Sequence, residues 1–171
     1  AYIITSFGGL VSLKLLDNYL QLGFDWLWIP GLVFAGLGAV YTAFLFNQAR
    51  ARDLWQTPIQ SAIHMLVHAI MAGSVVMIII APESSQWMAN ILLWGIVANV
   101  VIIAKEILLP HDTPDTKKAI HLMTKGYYSK YFWAGIVIGN LIPLAVLNAF
   151  PSMLLIAGGL ALVGIYLTEF V

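Results

Sequence analysis

The chain has 171 residues, of which 61% are hydrophobic and 9% are charged. A soluble domain carries roughly 25% charged residues to cover its surface, so this composition excludes an ordinary water-soluble fold. The net charge is zero, so nothing in the charge balance points to nucleic acid. The sequence contains no cysteine, so this chain ligates no iron–sulfur cluster and forms no disulfide.

Six long apolar stretches predict transmembrane helices, because crossing the hydrocarbon core takes about 20 mostly apolar residues. Their length and their lack of alternation favour helices over barrel strands. We therefore expect an all-α polytopic transmembrane helix bundle that forms a single domain over residues 1–171. Because the chain begins and ends inside apolar runs, we also expect it to be a fragment of a longer subunit. The predicted helices lie at about 1–22, 26–48, 57–81, 85–109, 128–150 and 151–171.

Two connections between the predicted helices are basic. One contains Arg50 and Arg52. The other, residues 111–130, is longer, and its segment at about 115–124 mixes apolar residues with lysines, as a short amphipathic helix on the membrane surface does. The positive-inside rule predicts that both connections are cytoplasmic. The first helix then runs outward and the last ends near the cytoplasmic face.

Small residues recur at spacings of three and four on three predicted helices, as close helix packing in lipid requires. Pro143 removes a backbone donor from the fifth helix, so we expect a kink there. We interpret these residues as packing features. They are Gly31, Ala35, Gly38 and Thr42 on the second helix, Gly135 and Gly139 on the fifth, and Ala157, Ala161, Gly164 and Thr168 on the sixth.

Lys14 and Asp17 lie three residues apart on one face of the first predicted helix, where they can pair. The predicted topology places Asp17 roughly 7–8 Å before the outer end of this helix, at 1.5 Å per residue. Two interpretations are open. The residues form an interfacial ion pair, or Asp17 is a catalytic carboxylate that accepts a proton from a bound quinol, with Lys14 beside it.

His64 and His68 share a face of the third predicted helix, roughly 10 and 16 Å from its start. Residues four apart on one helix cannot supply both axial ligands of one haem. Neutral imidazole both donates and accepts hydrogen bonds, so the two histidines predict a proton relay or a quinone contact. The alternative is that neighbouring helices simply satisfy them. We find no spacing typical of a metal site.

The remaining polar residues of the predicted spans fall into two groups. Asn90, Asn99 and Asn140 are expected to form hydrogen bonds between helices. Glu106 and Glu169 approach the cytoplasmic ends of the fourth and sixth helices, and we count them as candidate relay residues. They are either interfacial or mark the mouth of a proton path.

Two segments carry a resemblance to a known family. Residues 41–58 combine a Tyr-Thr-x-Phe-Leu stretch, a basic turn, and then an aromatic residue, an amide and a proline that opens the next helix. Residues 116–133 lead into the glycine-rich fifth helix with Pro143. This arrangement resembles the NrfD/polysulfide-reductase family of membrane subunits, and within it the NrfD-like quinol-binding subunits of bacterial alternative complex III.

The resemblance implies an eight- to ten-helix subunit of a quinol:acceptor oxidoreductase complex in the inner membrane, respiratory or photosynthetic, and not catalytic alone. Its cofactor would be a quinone, menaquinone or ubiquinone, bound near the outer face, where Asp17 is the one carboxylate that the topology offers. Electrons would pass to a peripheral iron–sulfur subunit, and other integral membrane subunits would complete the complex, with haem also held by partners. The family's proposed proton paths suit His64 and His68.

Two other classes of function are compatible with a polytopic helix bundle. A haem-b membrane cytochrome needs histidines on facing helices, and only the third predicted helix carries them. A proton or ion transporter would favour paired broken helices near the midplane, and Pro143 has no matching break in an earlier helix. Both alternatives stay open at this point.

Overall fold

The computed structural model describes residues 2–47, 58–108 and 114–170. Within these ranges the chain is helical and contains no strand, so the prediction of an all-α fold is confirmed. The described helices are α1 Tyr2–Leu20, α2 Trp28–Asn47, α3 Pro58–Ile80, α4 Ser85–Leu108, α5 Pro114–Thr124, α6 Ser129–Ile136, α7 Ile142–Ala149 and α8 Leu154–Phe170.

Five helical segments in the described ranges are long and apolar enough to cross a membrane. The first predicted span does form a helix, α1, but it is not among the five, because Lys14, Asp17 and Asn18 make it less apolar. We expected about six spans, and five of them are long and apolar enough in the described ranges. They are Asp25–Leu45, Ile59–Ile80, Pro82–Leu108, Ser129–Ala149 and Pro151–Phe170.

The backbone contacts divide the chain into two compact units, Ala1–Leu66 and Val67–Val171. In the first unit α1 packs along α2. The turn between them contains Gln21 and Gly23 with φ of 55° and 78°, a left-handed conformation that glycine adopts without strain. The prediction of one single bundle over the whole chain stays a prediction.

Gly31 and Gly38 of α2 do not show the close packing that we expected of them. A Cβ atom built on Gly31 or Gly38 meets no other atom within 4 Å. In the part of the chain that the structure describes, these two glycines therefore face open space. Small residues permit a close helix contact, but they do not by themselves specify one.

The second unit has an apolar core formed by α3, α4, α7 and α8. Ala157 and Ala161 of α8 are fully buried in it, and their small side chains let the neighbouring helices approach. The core residues are Met71, Val75, Ile78, Ala89, Leu92, Ile96, Leu147, Ala157 and Ala161. A polar layer lies next to this core on α3 and α4, since His68 lies within one helical turn before Met71 and Asn99 within one turn after Ile96.

The fifth predicted helix consists of α6, a π-helical turn at Val137–Leu141, and α7. The wide turn ends just before Pro143, which has no backbone N–H to donate to the preceding turn. Gly139 of this turn lies against Gly164 of α8, and a Cβ on either residue would overlap the backbone of the other. The predicted close packing of these glycines is confirmed.

The amphipathic segment forms α5, and its Lys117 and Lys118 are exposed. The indole nitrogen of Trp133 donates a hydrogen bond to the carbonyl oxygen of Thr124 at 3.0 Å, which ties the end of α5 to α6. Its place on the membrane surface stays a prediction. Arg50, Arg52 and most of the segment 41–58 lie outside the described residues.

Candidate functional site

A hydrogen-bonded chain of four polar side chains connects four helical elements of the second unit. His68 on α3 lies at its centre. Its Nδ1 atom is 2.8 Å from Oε1 of Glu169 on α8, and its Nε2 atom is 3.1 Å from Oδ1 of Asn99 on α4. Nδ2 of Asn99 in turn donates to Oδ1 of Asn140 in the π-helical turn, at 2.9 Å. We call these residues the polar chain.

Local backbone features bring the polar chain together. The π-helical turn widens the helix at Asn140, and turns of this kind recur at functional sites. The contact between Gly139 and Gly164 lets α8 approach that turn closely, one and a half turns before Glu169. The helices that carry His68, Asn99 and Asn140 therefore meet at one level of the unit.

This level lies deep within the predicted spans. His68 is ten residues after Pro58, the first residue of α3, or about 15 Å along the helix. Asn99 is 1% exposed and lies well inside α4, and Asn140 is 1% exposed in the middle of the span Ser129–Ala149. Glu169 contacts His68 from the last turn of α8, where it is the next-to-last residue of the helix.

The contact between His68 and Glu169 requires a proton. At 2.8 Å a ring nitrogen and a carboxylate oxygen attract each other only when a hydrogen lies between them. His68 is 6% exposed, and the side chain of Glu169 is 38% exposed. The pair is therefore a place where one proton is held between a buried base and a partly accessible acid.

The other predicted relay residues lie on α3 and α4. His64 is buried one turn before His68 on α3. Glu106 is half-buried near the end of α4, and the neighbouring Lys105 is exposed. His121 is exposed on α5. The inter-helix bond predicted for Asn99 and Asn140 is confirmed, whereas Asn90 is exposed.

A second polar cluster lies at the end of α1 in the first unit. The ammonium group of Lys14 is 2.6 Å from Oδ2 of Asp17, so the predicted ion pair is confirmed. The backbone N–H of Phe24 donates to Oδ1 of Asp17 at 2.8 Å, and Lys14 also contacts Asp25 at 3.4 Å. Asp17 is 4% exposed. These donors stabilise the ionised carboxylate and tie the loop after α1 back to the helix.

The family follows from one comparison. A family model described as "Polysulphide reductase, NrfD" matches residues 7–171, nearly the whole chain. The chain belongs to the NrfD family. Members of this family are membrane subunits of redox complexes that interact with quinone and with an iron–sulfur partner. No curated protein and no solved structure matches this chain.

Membership of the NrfD family agrees with the resemblance carried by the segments 41–58 and 116–133. With its five candidate spans, this NrfD chain is a multi-pass membrane protein whose helices contact lipid. The match covers the family as a whole and does not separate the subunits of alternative complex III from the others.

The NrfD chain also has an apolar groove of about 650 Å³ between α3 and α4. Its lining is almost entirely hydrocarbon and indole, with Trp87 and Trp94 largely exposed beside it. Asn90 lines this groove, which explains why it takes no part in the polar chain. Among the described residues, no three histidine, aspartate or glutamate side chains come together as metal ligands.

Proposed function

We propose that this chain is the quinone-interacting membrane subunit of a quinol:acceptor oxidoreductase complex, and that it moves protons through its interior. Electrons from the quinol pass to a partner iron–sulfur subunit, because the chain has no cysteine with which to hold a cluster. Haem, where the complex contains it, belongs to partner subunits as well. The family match supports the redox class of this proposal.

The observation that carries the proton role is the contact between His68 and Glu169. Ionisable groups inside a membrane span are costly, by roughly 2.5–3.5 kcal/mol per charged side chain on insertion scales. His68 lies about 15 Å into α3 and faces Glu169, in the last turn of α8, at 2.8 Å, so this pair of ionisable groups needs a reason. Sharing a proton removes most of the charge cost and leaves a group that can both take up and release a proton.

The proton step is a transfer along one hydrogen bond. In one state the ring of His68 is an imidazolium and Glu169 is a carboxylate. In the other the ring is neutral and Glu169 is a carboxylic acid. Glu169 has the more accessible side chain, so it exchanges the proton with water or with the next group of the path. His64, one turn away on α3, and Glu106, on α4, are the proposed continuations of that path.

The proposed quinol site is at Asp17. Its ionised carboxylate is held between Lys14 and the backbone of Phe24, and an ionised carboxylate is the form that accepts a hydrogen bond from a quinol hydroxyl. To take a proton, Asp17 must weaken its bond to Lys14.

The proposed setting is the inner membrane with the basic connections on the cytoplasmic side. The positive-inside rule supports this orientation, because the predicted connection 111–130 carries exposed lysines: Lys117, Lys118, Lys125 and Lys130. In this proposed topology, Asp17 lies toward the outer face, beneath the proposed iron–sulfur subunit. The proposed assembly is bacterial alternative complex III. Other integral membrane subunits would cover the exposed faces of α1 and α2.

The test uses the whole complex reconstituted in liposomes, with quinol oxidation and proton movement recorded together. His68→Gln keeps a polar side chain, but the glutamine amide has no basic nitrogen that could take up a proton. We therefore expect quinol oxidation to continue with fewer protons moved per electron. His121→Gln, an exposed histidine on α5, is the matched control. Unchanged proton movement in assembled His68→Gln would leave His68 only a structural role.

A further inference from the structure

The bond between Asn99 and Asn140 determines how Asn99 faces His68. Nδ2 of Asn99 donates to Oδ1 of Asn140 at 2.9 Å, so the carbonyl oxygen of Asn99 points to the other side, 3.1 Å from Nε2 of His68. A carbonyl oxygen accepts hydrogen bonds and donates none. Nε2 of His68 must therefore carry a hydrogen.

The other ring nitrogen of His68 has a different kind of partner. Nδ1 faces Oε1 of Glu169, and one proton lies between them. When the proton moves, the N–H bond of the ring breaks and an O–H bond of the carboxyl group forms. The positive charge of the ring and the negative charge of the carboxylate disappear together. The hydrogen on Nε2 stays in place in both states.

We infer that Asn99 and Asn140 are positioning residues that keep Nε2 of His68 protonated and confine its proton exchange to Nδ1, on the side of Glu169. This inference deepens, and rests on, the proposed proton role of His68. The amide of Asn99 does not pass a proton onward, because its carbonyl oxygen would first have to form an imidic acid. The hydrogen bonds from His68 through Asn99 to Asn140 therefore fix which ring nitrogen carries the hydrogen, and we call this arrangement the lock. The proton path leaves through Glu169.

The lock depends on Asn140 offering an acceptor. Without that acceptor, the amide of Asn99 can turn over and present its N–H to Nε2 of His68. Nε2 then accepts, and the ring hydrogen moves to Nδ1. A neutral ring that donates from Nδ1 to an ionised Glu169 can no longer take up a proton at Nδ1. Both amides are 1% exposed, so water does not replace the missing partner.

The test reads the ring nitrogens of His68 directly. The complex is labelled with ¹⁵N-histidine and its solid-state NMR spectrum is recorded in lipid, with the His68 signals identified by their loss in His68→Gln. In the wild type we expect every Nε2 signal of His68 to be that of a protonated nitrogen. A non-protonated Nε2 signal would overturn the inference. Once these signals are assigned, the wild-type spectrum decides this even if Asn140→Leu fails to assemble.

Asn140→Leu removes the acceptor and should produce a non-protonated Nε2 signal for His68. Its matched control is Asn148→Leu on α7, because Nδ2 of Asn148 bonds to the carbonyl oxygen of Leu144 in its own helix at 2.7 Å. The control should show the wild-type spectrum. A fully protonated Nε2 in assembled Asn140→Leu would contradict the positioning role of Asn140.

The NMR experiment and the liposome experiment can contradict their two proposals independently of each other. The NMR spectrum reports the ring hydrogen without turnover, so a protonated Nε2 in the wild type and its loss in Asn140→Leu support the lock even if His68→Gln moves protons normally. In that case the proposed function fails and the lock is purely structural. A non-protonated Nε2 in the wild type, together with fewer protons moved in His68→Gln, would keep the proton role of His68 and remove the lock.

Discussion

Nδ1 of His68 lies 2.8 Å from Oε1 of Glu169, although the two residues are 101 positions apart in the chain. The contact joins α3 to α8 at a level where Asn99 and Asn140 add a bond between α4 and the π-helical turn. Four elements thus meet through polar groups that a lipid environment cannot satisfy. This single layer of polar contacts gives the second unit both a fixed helix arrangement and a place to hold a proton.

Asp17→Asn should reduce quinol oxidation by about a hundredfold, within the range that a positioned acid or base contributes to a reaction. An asparagine side chain keeps the hydrogen bond from Phe24 but cannot accept a proton. The measurement is the steady-state quinol oxidation rate of the purified complex, together with its content of co-purifying subunits.

Asp25→Asn is the matched control for Asp17→Asn. It removes a second carboxylate that contacts Lys14, but this one is exposed. We expect near-normal turnover in the control. Wild-type quinol oxidation in an assembled Asp17→Asn complex would leave the pair of Lys14 and Asp17 as a clamp on the loop after α1.

Gly164→Ala should lower the free energy of unfolding of the chain by about 1–3 kcal/mol, the usual cost of overpacking. The added Cβ would overlap the backbone of Gly139, which has no side chain that could move aside. The measurement is unfolding in mixed detergent micelles, followed by loss of helical signal.

Gly159→Ala controls for the change of residue type on the same helix. A Cβ at Gly159 meets no atom within 4 Å in the described structure. Alanine is also the better helix former, so we expect this variant to be at least as stable as the wild type. Equal stability of Gly164→Ala and the wild type would show that α8 does not approach the π-helical turn closely.

The orientation of the chain can be measured because the sequence contains no cysteine. Lys118→Cys on α5 and Glu83→Cys between α3 and α4 each introduce one exposed thiol. An impermeant maleimide should label the first from the cytoplasmic side and the second from the outer side. Labelling of both from the same side would contradict the predicted topology, and with it the outer position of Asp17.

The helices could be predicted from sequence because their signals are local. An apolar run of about 20 residues has few other interpretations, and the amphipathic pattern at about 115–124 is equally local. The first helix was also recognised, but its two charged side chains left it outside the five segments that are apolar enough to span.

The polar chain could be predicted only in part. The depth of His68 marked it as a candidate, and Asn99 and Asn140 were expected to bond between helices. Which partner each side chain meets depends on helix rotation and on the position of the π-helical turn, and neither has a strong local signal. Glu169 shows this most clearly, because its position in α8 gave no indication that it faces His68.

The same limit applies to α2. Gly31 and Gly38 have the same spacing as small residues elsewhere in the chain, yet they meet no neighbour in the described structure. By contrast, Gly139 in the π-helical turn and Gly164 on α8 are in direct contact. Spacing identifies the face on which a close approach is permitted, and only the assembled helices show where the approach occurs.

The central claim is that His68 and Glu169 act as one proton-transferring pair. It is tested most directly by a double-mutant cycle of His68→Gln, Glu169→Gln and the double variant, with protons moved per electron measured in liposomes. If the pair acts as a unit, each single variant should lose about as much as the double variant, since removing either partner ends the transfer. Losses that add up independently, or no loss in assembled Glu169→Gln, would contradict the account.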